Sequence, residues 1–332
     1  MSTTRIINLK IEKLQKMVDN ESTIIIRSPR KSSHQPVSFH EHFKENYSEI
    51  RRFCSSFDQQ GLAIIIVDDR SIVAKACMAA YPNRINSMIL GRHGMCEVYL
   101  SDPSLSLRHL SILLYPKTGS GIRFRLIDLR SLRGFSDEKG TPLSALEASG
   151  ALFVQYGSYS MFLIPTGDNS LWKNSAELAW QNFPKRVYFR DPYQFHAQQE
   201  SDDREVTAAV SLAGPQRVRR DRFGMKMVFG ELSVFSEGRT CKIPISKKEL
   251  EQGILLGRYD RCDGAEYNII HANYISRVHL LIIQIANTLY AIDAASSNGT
   301  FENDQKVRVT ELNQDKTLVL GSFGTMLRWK FT

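Results

Sequence analysis

The sequence lacks the features that mark membrane-spanning and secreted proteins. No apolar run approaches the roughly 20 residues that a membrane-spanning helix needs. The N-terminal stretch MSTTRIINLKIEKL has neither the apolar segment nor the cleavage pattern of a secretion signal. We therefore expect a cytoplasmic protein that does not act on a membrane.

Cysteine is scarce, and its spacing suits neither disulfides nor metal ions. The five cysteines are odd in number and far apart, and none belongs to a CxxC pair or a Cys/His ligand spacing. This pattern predicts reduced thiols and no metal site, and we expect no cofactor.

A block of basic residues is also missing, although the chain is basic as a whole. Lys and Arg outnumber Asp and Glu by 43 to 35, which gives a net charge of +8. The excess is spread thinly, and no helix-turn-helix, zinc finger or aromatic-basic RNA motif is present. We therefore do not expect a nucleic-acid partner. DNA-associated regulation stays open as an alternative that rests on the net charge alone.

What is present is ordinary globular composition and a helical beginning. With 332 residues, 42% hydrophobic, the chain is long enough for two or three domains. Residues 7–18 have apolar side chains at helical spacing, and Ser38 with Glu41 forms a capping box for a second helix. The second helix has an apolar stripe of Phe39, Phe43, Tyr47, Ile50, Cys54 and Phe57. Such a stripe indicates a helix that covers a neighbouring domain more than a docking or dimerisation helix.

The remaining sequence divides into two β-rich regions and a polar segment between them. Residues 60–165 and 226–332 contain short β-rich runs separated by Gly, Pro, Asp and Asn, which predicts sandwiches or barrels. Residues 166–225 are more polar and predict a partly helical linker, and residues 1–59 form the helical N-terminal segment. We expect a mainly β protein with these four parts.

The two β-rich regions are diverged copies of one unit. Three pairs of segments align in order: MILGR at 88–92 with ILLGR at 254–258, LSLRHLSI at 105–112 with ISRVHLLI at 275–282, and DLRSLRGF at 128–135 with DAASSNGTF at 293–301.

In the second copy these segments place groups suited to phosphate and peptide recognition at strand ends. Gly257 and Arg258 end one strand, residues 276–279 precede another, and residues 296–300 follow a third. An arginine matches phosphate oxygens, a serine hydroxyl adds a donor, and an asparagine amide can bond a peptide backbone. No residue set resembles a catalytic unit, so we expect a protein that is not an enzyme.

The motifs Gly257-Arg258, Ser276-x-x-His279 and Asn298-Gly299-Thr300, in this order, resemble those of the forkhead-associated (FHA) domain. The resemblance covers residues 226–332 and implies a β-sandwich that binds phosphothreonine peptides. It implies the following roles: Arg258 and Ser276 hold the phosphate with Arg277 and Ser297 beside them, Asn298 fixes the peptide backbone, and Gly257, His279 and Gly299 are structural.

The first copy keeps only part of the pattern. Gly91-Arg92 and Ser106-x-x-His109 are present, but Leu132 and Arg133 replace the Ser-Asn pair. A scaffold or dimerisation module is the favoured interpretation. The alternative is a variant phosphate site made of Arg92, Ser106, Arg108 and Arg133.

The sequence therefore predicts two FHA-like sandwiches in a signalling adaptor, without enzymatic activity, that binds a phosphothreonine-containing protein. A Ser/Thr kinase is an implied partner, self-association is possible, and a bacterial source is favoured. The alternative function is a structural subunit of a larger assembly that uses FHA-like folds for phosphate-independent packing.

Two features of the predicted linker have competing interpretations. Thr207 follows an acidic stretch and could be phosphorylated and captured by an FHA domain, whereas a solvated linker is the simpler interpretation. The arginines at 217–222 likewise fit a soluble linker better than a lipid or nucleic-acid contact.

Overall fold

The structure is a computed structural model, which describes residues 38–115, 121–189, 192–195, 206–216, 227–263, 270, 272–314, 316–321 and 324–332. The chain forms two compact units, Met1–Leu212 and Ala213–Thr332, called unit 1 and unit 2 below. The predicted helix at 7–18 and the arginines at 217–222 lie outside the described residues.

Unit 1 is a β-sandwich with helices on one face. Its strands are β1 (Gly61–Asp68), β2 (Ser71–Ala79), β3 (Asn86–Gly91), β4 (Val98–Tyr99), β5 (Leu110–Leu114), β6 (Arg123–Asp128), β7 (Phe135–Ser136), β8 (Pro142–Leu143), β9 (Ala145–Ser149), β10 (Leu152–Tyr156), β11 (Tyr159–Thr166), β12 (Lys185–Phe189) and β13 (Val206–Leu212). They form a six-stranded sheet, β2-β1-β11-β10-β7-β8, and a seven-stranded sheet, β12-β13-β9-β6-β5-β3-β4. Side chains of both sheets, such as Ile64, Ile112 and Phe124, meet in one buried core.

Strand β1 shows how the helices extend this core. Successive side chains of a strand point to opposite faces, and every residue of β1 is buried. Ile64 and Ile66 join the core between the sheets, whereas Ile65 and Val67 pack under the helices. The continuous apolar run in the sequence is therefore that of a strand covered on both faces.

Helix α1 (Phe39–Cys54) covers the six-stranded sheet, as the sequence predicts. Its N-terminus has the predicted capping box, in which Ser38 and Glu41 each accept the other's backbone N–H. The ring of Phe43 is fully buried and lies 5.3 Å, between centroids, from both Trp180 of helix α2 (Ala176–Asn182) and Phe183. These aromatic contacts attach both helices to the sheet.

Residues 166–212 belong to unit 1, whereas the sequence predicts that they form part of a linker. Besides α2, they supply β12 and β13, and β13 pairs with β9 to extend the seven-stranded sheet. The small side chains of VTAAVSL gave only a weak strand signal beside the acidic stretch that precedes them. Thr207 lies within β13 with no exposed surface, so it is not accessible to a kinase in the folded unit.

The described residues of unit 2 form a β-sandwich with one short helix. Its strands are β14 (Gly230–Ser236), β15 (Arg239–Ile245), β16 (Ile254–Leu256), β17 (Leu280–Ile285), β18 (Thr288–Asp293), β19 (Thr300–Glu302), β20 (Gln305–Val307), β21 (Val309–Glu311), β22 (Thr317–Leu320) and β23 (Thr325–Phe331). The sheets are β15-β14-β23-β22-β19-β20 and β16-β17-β18-β21, and the short helix α3 (Lys247–Gln252) precedes β16. Trp329, Leu256 and Ile282 are among the buried core residues.

The mainly β fold class predicted from the sequence is confirmed. Among the residues that the structure describes, no helix has the length and apolar character needed to cross a bilayer.

Replacing Phe43 by alanine is expected to destabilise unit 1 by about 3 to 5 kcal/mol, because removal of a buried aromatic ring leaves a cavity. Amide hydrogen exchange in β1 and β11 of the full chain should become faster. Lys44→Ala is the matched control, because the neighbouring side chain is 60% exposed. Equal exchange rates in the two variants would contradict the proposed role of α1.

Candidate functional site

Three loops of unit 2 meet at one end of the sandwich and are called the unit 2 loop edge here: residues 257–259, 272–279 and 294–299. The buried ring of His279 joins two of them. Its Nδ1 accepts the backbone N–H of Ser276 at 3.2 Å, and its Nε2 lies 3.0 Å from the carbonyl oxygen of Gly299. Since an N–H only donates and a carbonyl only accepts, the ring is neutral, with its proton on Nε2.

Gly257 allows the first loop to lie against the second. The backbone N–H groups of Arg258 and Tyr259 donate to the carbonyls of Ser276 and Arg277 at 3.1 and 3.0 Å. A Cβ on Gly257 would lie 2.2 Å from the Arg277 oxygen. Only glycine therefore permits this close approach.

Asp293, Ser296 and Thr300 hold the third loop from below. The sequence analysis placed Ser296 and Thr300 in this segment but gave none of the three residues this role. The Asp293 carboxylate accepts hydrogen bonds from the Ser296 N–H, the Ser296 hydroxyl and the Thr300 hydroxyl at 2.7, 2.6 and 2.7 Å. The Ser296 Oγ accepts the N–H of Gly299, which has φ +85°. A signal for part of this turn was available, because Asp and Ser recur at the aligned positions of the first copy.

Two guanidinium groups at this edge are exposed to solvent. The side chains of Arg258 and Arg277 make no hydrogen bond or ion pair with any residue that the structure describes. The Ser276 Oγ, on the same loop as Arg277, accepts the backbone N–H of Ser297 on the third loop at 2.9 Å. The predicted phosphate residues thus lie on adjoining loops.

Asn298 is exposed but already makes one hydrogen bond within the protein. Its Nδ2 donates to the carbonyl oxygen of Tyr274 at 2.8 Å, which ties the second loop to the third. Its Oδ1 makes no hydrogen bond with the described residues. The amide can therefore accept a hydrogen bond from a peptide N–H while it holds the loops together.

Lys306 is a further cation beside these loops that the sequence analysis missed. A Cβ on Gly299 would lie 2.7 Å from the Lys306 Cε, so the lysine side chain lies across this glycine. Its ammonium group makes no ion pair within the described part of the chain. Nothing in the sequence indicates this contact, because Lys306 reaches the loop from strand β20.

Unit 1 has the same loop scaffold. The unit 1 loop edge consists of the loops at 91–97, 105–109 and 129–134. His109 joins the last two: it accepts the Ser106 N–H at 3.3 Å and donates to the Gly134 carbonyl at 2.9 Å. The Gly134 N–H donates to Ser131, and a Cβ on Gly91 would lie 2.4 Å from the Leu107 oxygen.

A Cys-acid pair also recurs in both units, five and six residues after the loop glycine. The thiols of Cys96 and Cys262 donate to the carbonyls of Leu107 and Arg277, at 3.3 and 3.2 Å. The carboxylates that follow, Glu97 and Asp263, accept backbone N–H groups of β3 and β16 at 2.7 and 2.9 Å. Burial raises the pKa of Cys96 to about 12, so this thiol is structural and not reactive.

The surfaces of the two edges differ. Arg92 and Arg133 are exposed at the unit 1 edge, but Arg92 donates its Nε–H to the Leu105 carbonyl at 2.7 Å. Arg108, which we included in the variant site, is only 5% exposed and does not join them at the surface. Leu132, at the position of Ser297, is 76% exposed.

Gly257→Ala is expected to destabilise unit 2 by about 1 to 3 kcal/mol, because the added methyl group collides with the Arg277 carbonyl. The shift should appear in urea unfolding and as faster amide exchange at residues 276–279. Gly94→Ala is the control, because no atom lies within 4 Å of the Cβ position and its φ is not positive. If both variants behave like the wild type, the close loop contact does not exist in solution.

Unit 1 is expected to lose stability as the pH falls from 7 towards 5. Burial lowers the pKa of His109 below its usual value of 6.5, so the unfolded chain binds the proton more readily. In His109→Gln, the decrease in the free energy of unfolding should be shallower by up to about 1.4 kcal/mol per pH unit. Urea unfolding at pH 7, 6 and 5 measures both slopes, and equal slopes would contradict a neutral bridging histidine.

Comparison with known proteins identifies the family of both regions. A sequence model of the FHA domain matches residues 88–136 of unit 1 and 254–321 of unit 2. These stretches contain the histidine and the loop glycines of each edge. A search of curated proteins finds no match.

Similar solved structures include three FHA domains. The FHA-1 domain of Mycobacterium tuberculosis Rv1747 is 24% identical, over 31% of this chain and 97% of that chain, with a TM-score of 0.25. The FHA domain of CT664 from Chlamydia trachomatis is 19% identical over 31% and 98%, with a TM-score of 0.27. The yeast Dun1 FHA domain, solved with a doubly phosphorylated peptide, is 21% identical over 35% and 83%, with a TM-score of 0.25.

The matched stretches lie one in each unit and in the order that the internal repeat predicts. The chain therefore carries two FHA domains in tandem.

Proposed function

We propose that the unit 2 loop edge binds a phosphothreonine-containing segment of another protein and that the chain acts as a signalling adaptor. The observation that carries this proposal is the exposed guanidinium of Arg258, which has no hydrogen bond or ion pair with the described residues and lies on a loop bonded to that of Ser276. An exposed cation on such a loop is suited to an anionic ligand.

The charges of the edge fit a phosphate monoester. A phosphothreonine has a charge of about −1.5 to −2 at neutral pH and three strong acceptor oxygens. Arg258 and Arg277 offer planar sets of N–H donors that match those oxygens. Neither arginine would lose a hydrogen bond or ion pair with the described part of the chain on binding.

Peptide recognition would accompany phosphate recognition at the same loops. The Oδ1 of Asn298 can accept a backbone N–H of the ligand, since only the Nδ2 is bonded to Tyr274. Lys306 would place a further positive charge near the residues that flank the phosphothreonine.

The edge supports binding without catalysis. Both ring nitrogens of His279 are bonded to backbone groups, so the ring is not available as a general base. FHA domains are phosphopeptide-binding modules, and a Ser/Thr kinase would supply the modified partner. The first FHA domain lacks the Ser-Asn pair of the second, so we assign phosphothreonine binding to the second domain alone.

Binding of the full chain to phosphothreonine peptides on an array tests the proposal. Arg258→Ala should weaken binding by about 10- to 150-fold, because charge-assisted hydrogen bonds of about 1.5 to 3 kcal/mol are lost. The matching unphosphorylated threonine peptides show whether binding requires the phosphate, and the phosphoserine peptides show whether it requires the threonine methyl group.

Two arginine variants serve as controls. Arg239→Ala changes an exposed arginine in the β14–β15 hairpin of the same unit, and Arg92→Ala changes the equivalent residue of unit 1. Both should bind like the wild type. Absence of any phosphate-dependent binding, or equal loss in the three variants, would leave phosphate-independent packing in a larger assembly as the better explanation.

A further inference from the structure

The unit 1 loop edge keeps the scaffold of a phosphate site but presents a different surface. His109, Ser131 and Gly134 make the same contacts as His279, Ser296 and Gly299. A loop that is braced so closely holds its exposed side chains in fixed positions. What it exposes therefore indicates what it binds.

Leucines stand where the second FHA domain has phosphate-binding groups. In the aligned sequences, Leu107 takes the position of Arg277 and Leu132 that of Ser297. Leu107 is half-buried, while Leu132 is 76% exposed at the tip of its loop. A phosphate gains no hydrogen bond from these side chains, whereas an apolar side chain of a partner would be shielded from water against them.

Two exposed arginines accompany these leucines, and the acidic side chains near them in the sequence make hydrogen bonds within the unit. Glu97 accepts a backbone N–H of β3 at 2.7 Å, Asp102 accepts the Tyr159 hydroxyl at 3.0 Å, and Asp128 accepts the Ser131 N–H at 3.2 Å. Arg92 and Arg133 are exposed, and Arg133 has no hydrogen bond or ion pair with the described residues. The edge therefore combines apolar side chains with two exposed arginines that have no ion pair with a described residue.

We propose that the unit 1 loop edge binds an unphosphorylated acidic segment of a partner protein that carries a large apolar residue between carboxylates. Leu132 and Leu107 contact the apolar residue, and Arg92 and Arg133 pair with the flanking carboxylates. This site is separate from the phosphothreonine site proposed above and does not depend on it.

An array of unphosphorylated peptides tests this, with the full chain carrying Arg258→Ala so that the unit 2 site is silenced. The probes have a central Leu or Phe with two Glu on each side. The comparison peptides replace Glu by Gln or the central residue by Ala. We expect the Glu-flanked Leu and Phe peptides to bind at least 10-fold more tightly than either comparison set, and binding to weaken as salt is added.

The decisive variant is Leu132→Ser combined with Arg133→Asn, which introduces the residues found at these positions in unit 2. Because Ser297 and Asn298 occupy the same turn there, the fold should be retained, and urea unfolding checks this. Binding should fall at least 10-fold. Leu178→Ser is the matched control, since this leucine of α2 is 54% exposed and distant in sequence from the loops, and it should bind like the parent.

Three results would overturn the proposal. The first is equal binding of the double variant and its parent, or no binding of any unphosphorylated peptide. The second is preference for a phosphothreonine-centred peptide that requires Arg92 and Arg133, which would make the edge a variant phosphate site. The third is self-association of the chain, measured by sedimentation, that the double variant abolishes. The unit 1 loop edge would then bind a second copy of this chain.

Discussion

A neutral histidine ring that joins two backbone loops is the contact on which both loop edges depend. In each unit the ring accepts an N–H from the Ser-x-x-His loop and donates to the carbonyl of the loop glycine. An imidazolium could not accept the first hydrogen bond, so the arrangement requires burial that keeps the ring neutral. Because both contacts are to the backbone, the exposed side chains of the loops can change without loss of the brace.

This separation of scaffold and surface explains how the two FHA domains have diverged. The glycine contacts and the Cys-acid pairs are retained in both units, since each satisfies or permits a buried backbone interaction. The exposed positions have no such constraint: Ser297 and Asn298 correspond to Leu132 and Arg133. The exposed residues of such a domain can therefore be replaced while the buried contacts of its loops are kept.

The sequence predicted the features that depend on local pattern and missed those that depend on distant contacts. The capping box of α1, the buried runs of β1 and β11, and the tandem FHA motifs were all readable, because residues close in the chain determine them. Strands β12 and β13 were missed, because β13 has mostly small side chains and is a strand through its pairing with β9, and β12 in turn pairs with β13. The contact of Lys306 with Gly299 was equally hidden, because it joins a hairpin strand to a neighbouring turn.

The net charge of +8 illustrates why position matters more than composition. Many arginines and lysines are already engaged within the protein, as Arg186 is with Glu138 at 2.8 Å and Lys316 with Glu302 at 2.9 Å. Both pairs are partly buried, and they remove the cation from competition for a ligand. Arg258, Arg277 and Arg133 differ in having no such partner among the described residues. The first two lie beside serine and asparagine and the third beside leucine, and on this difference we base the proposal of different ligands for the two edges.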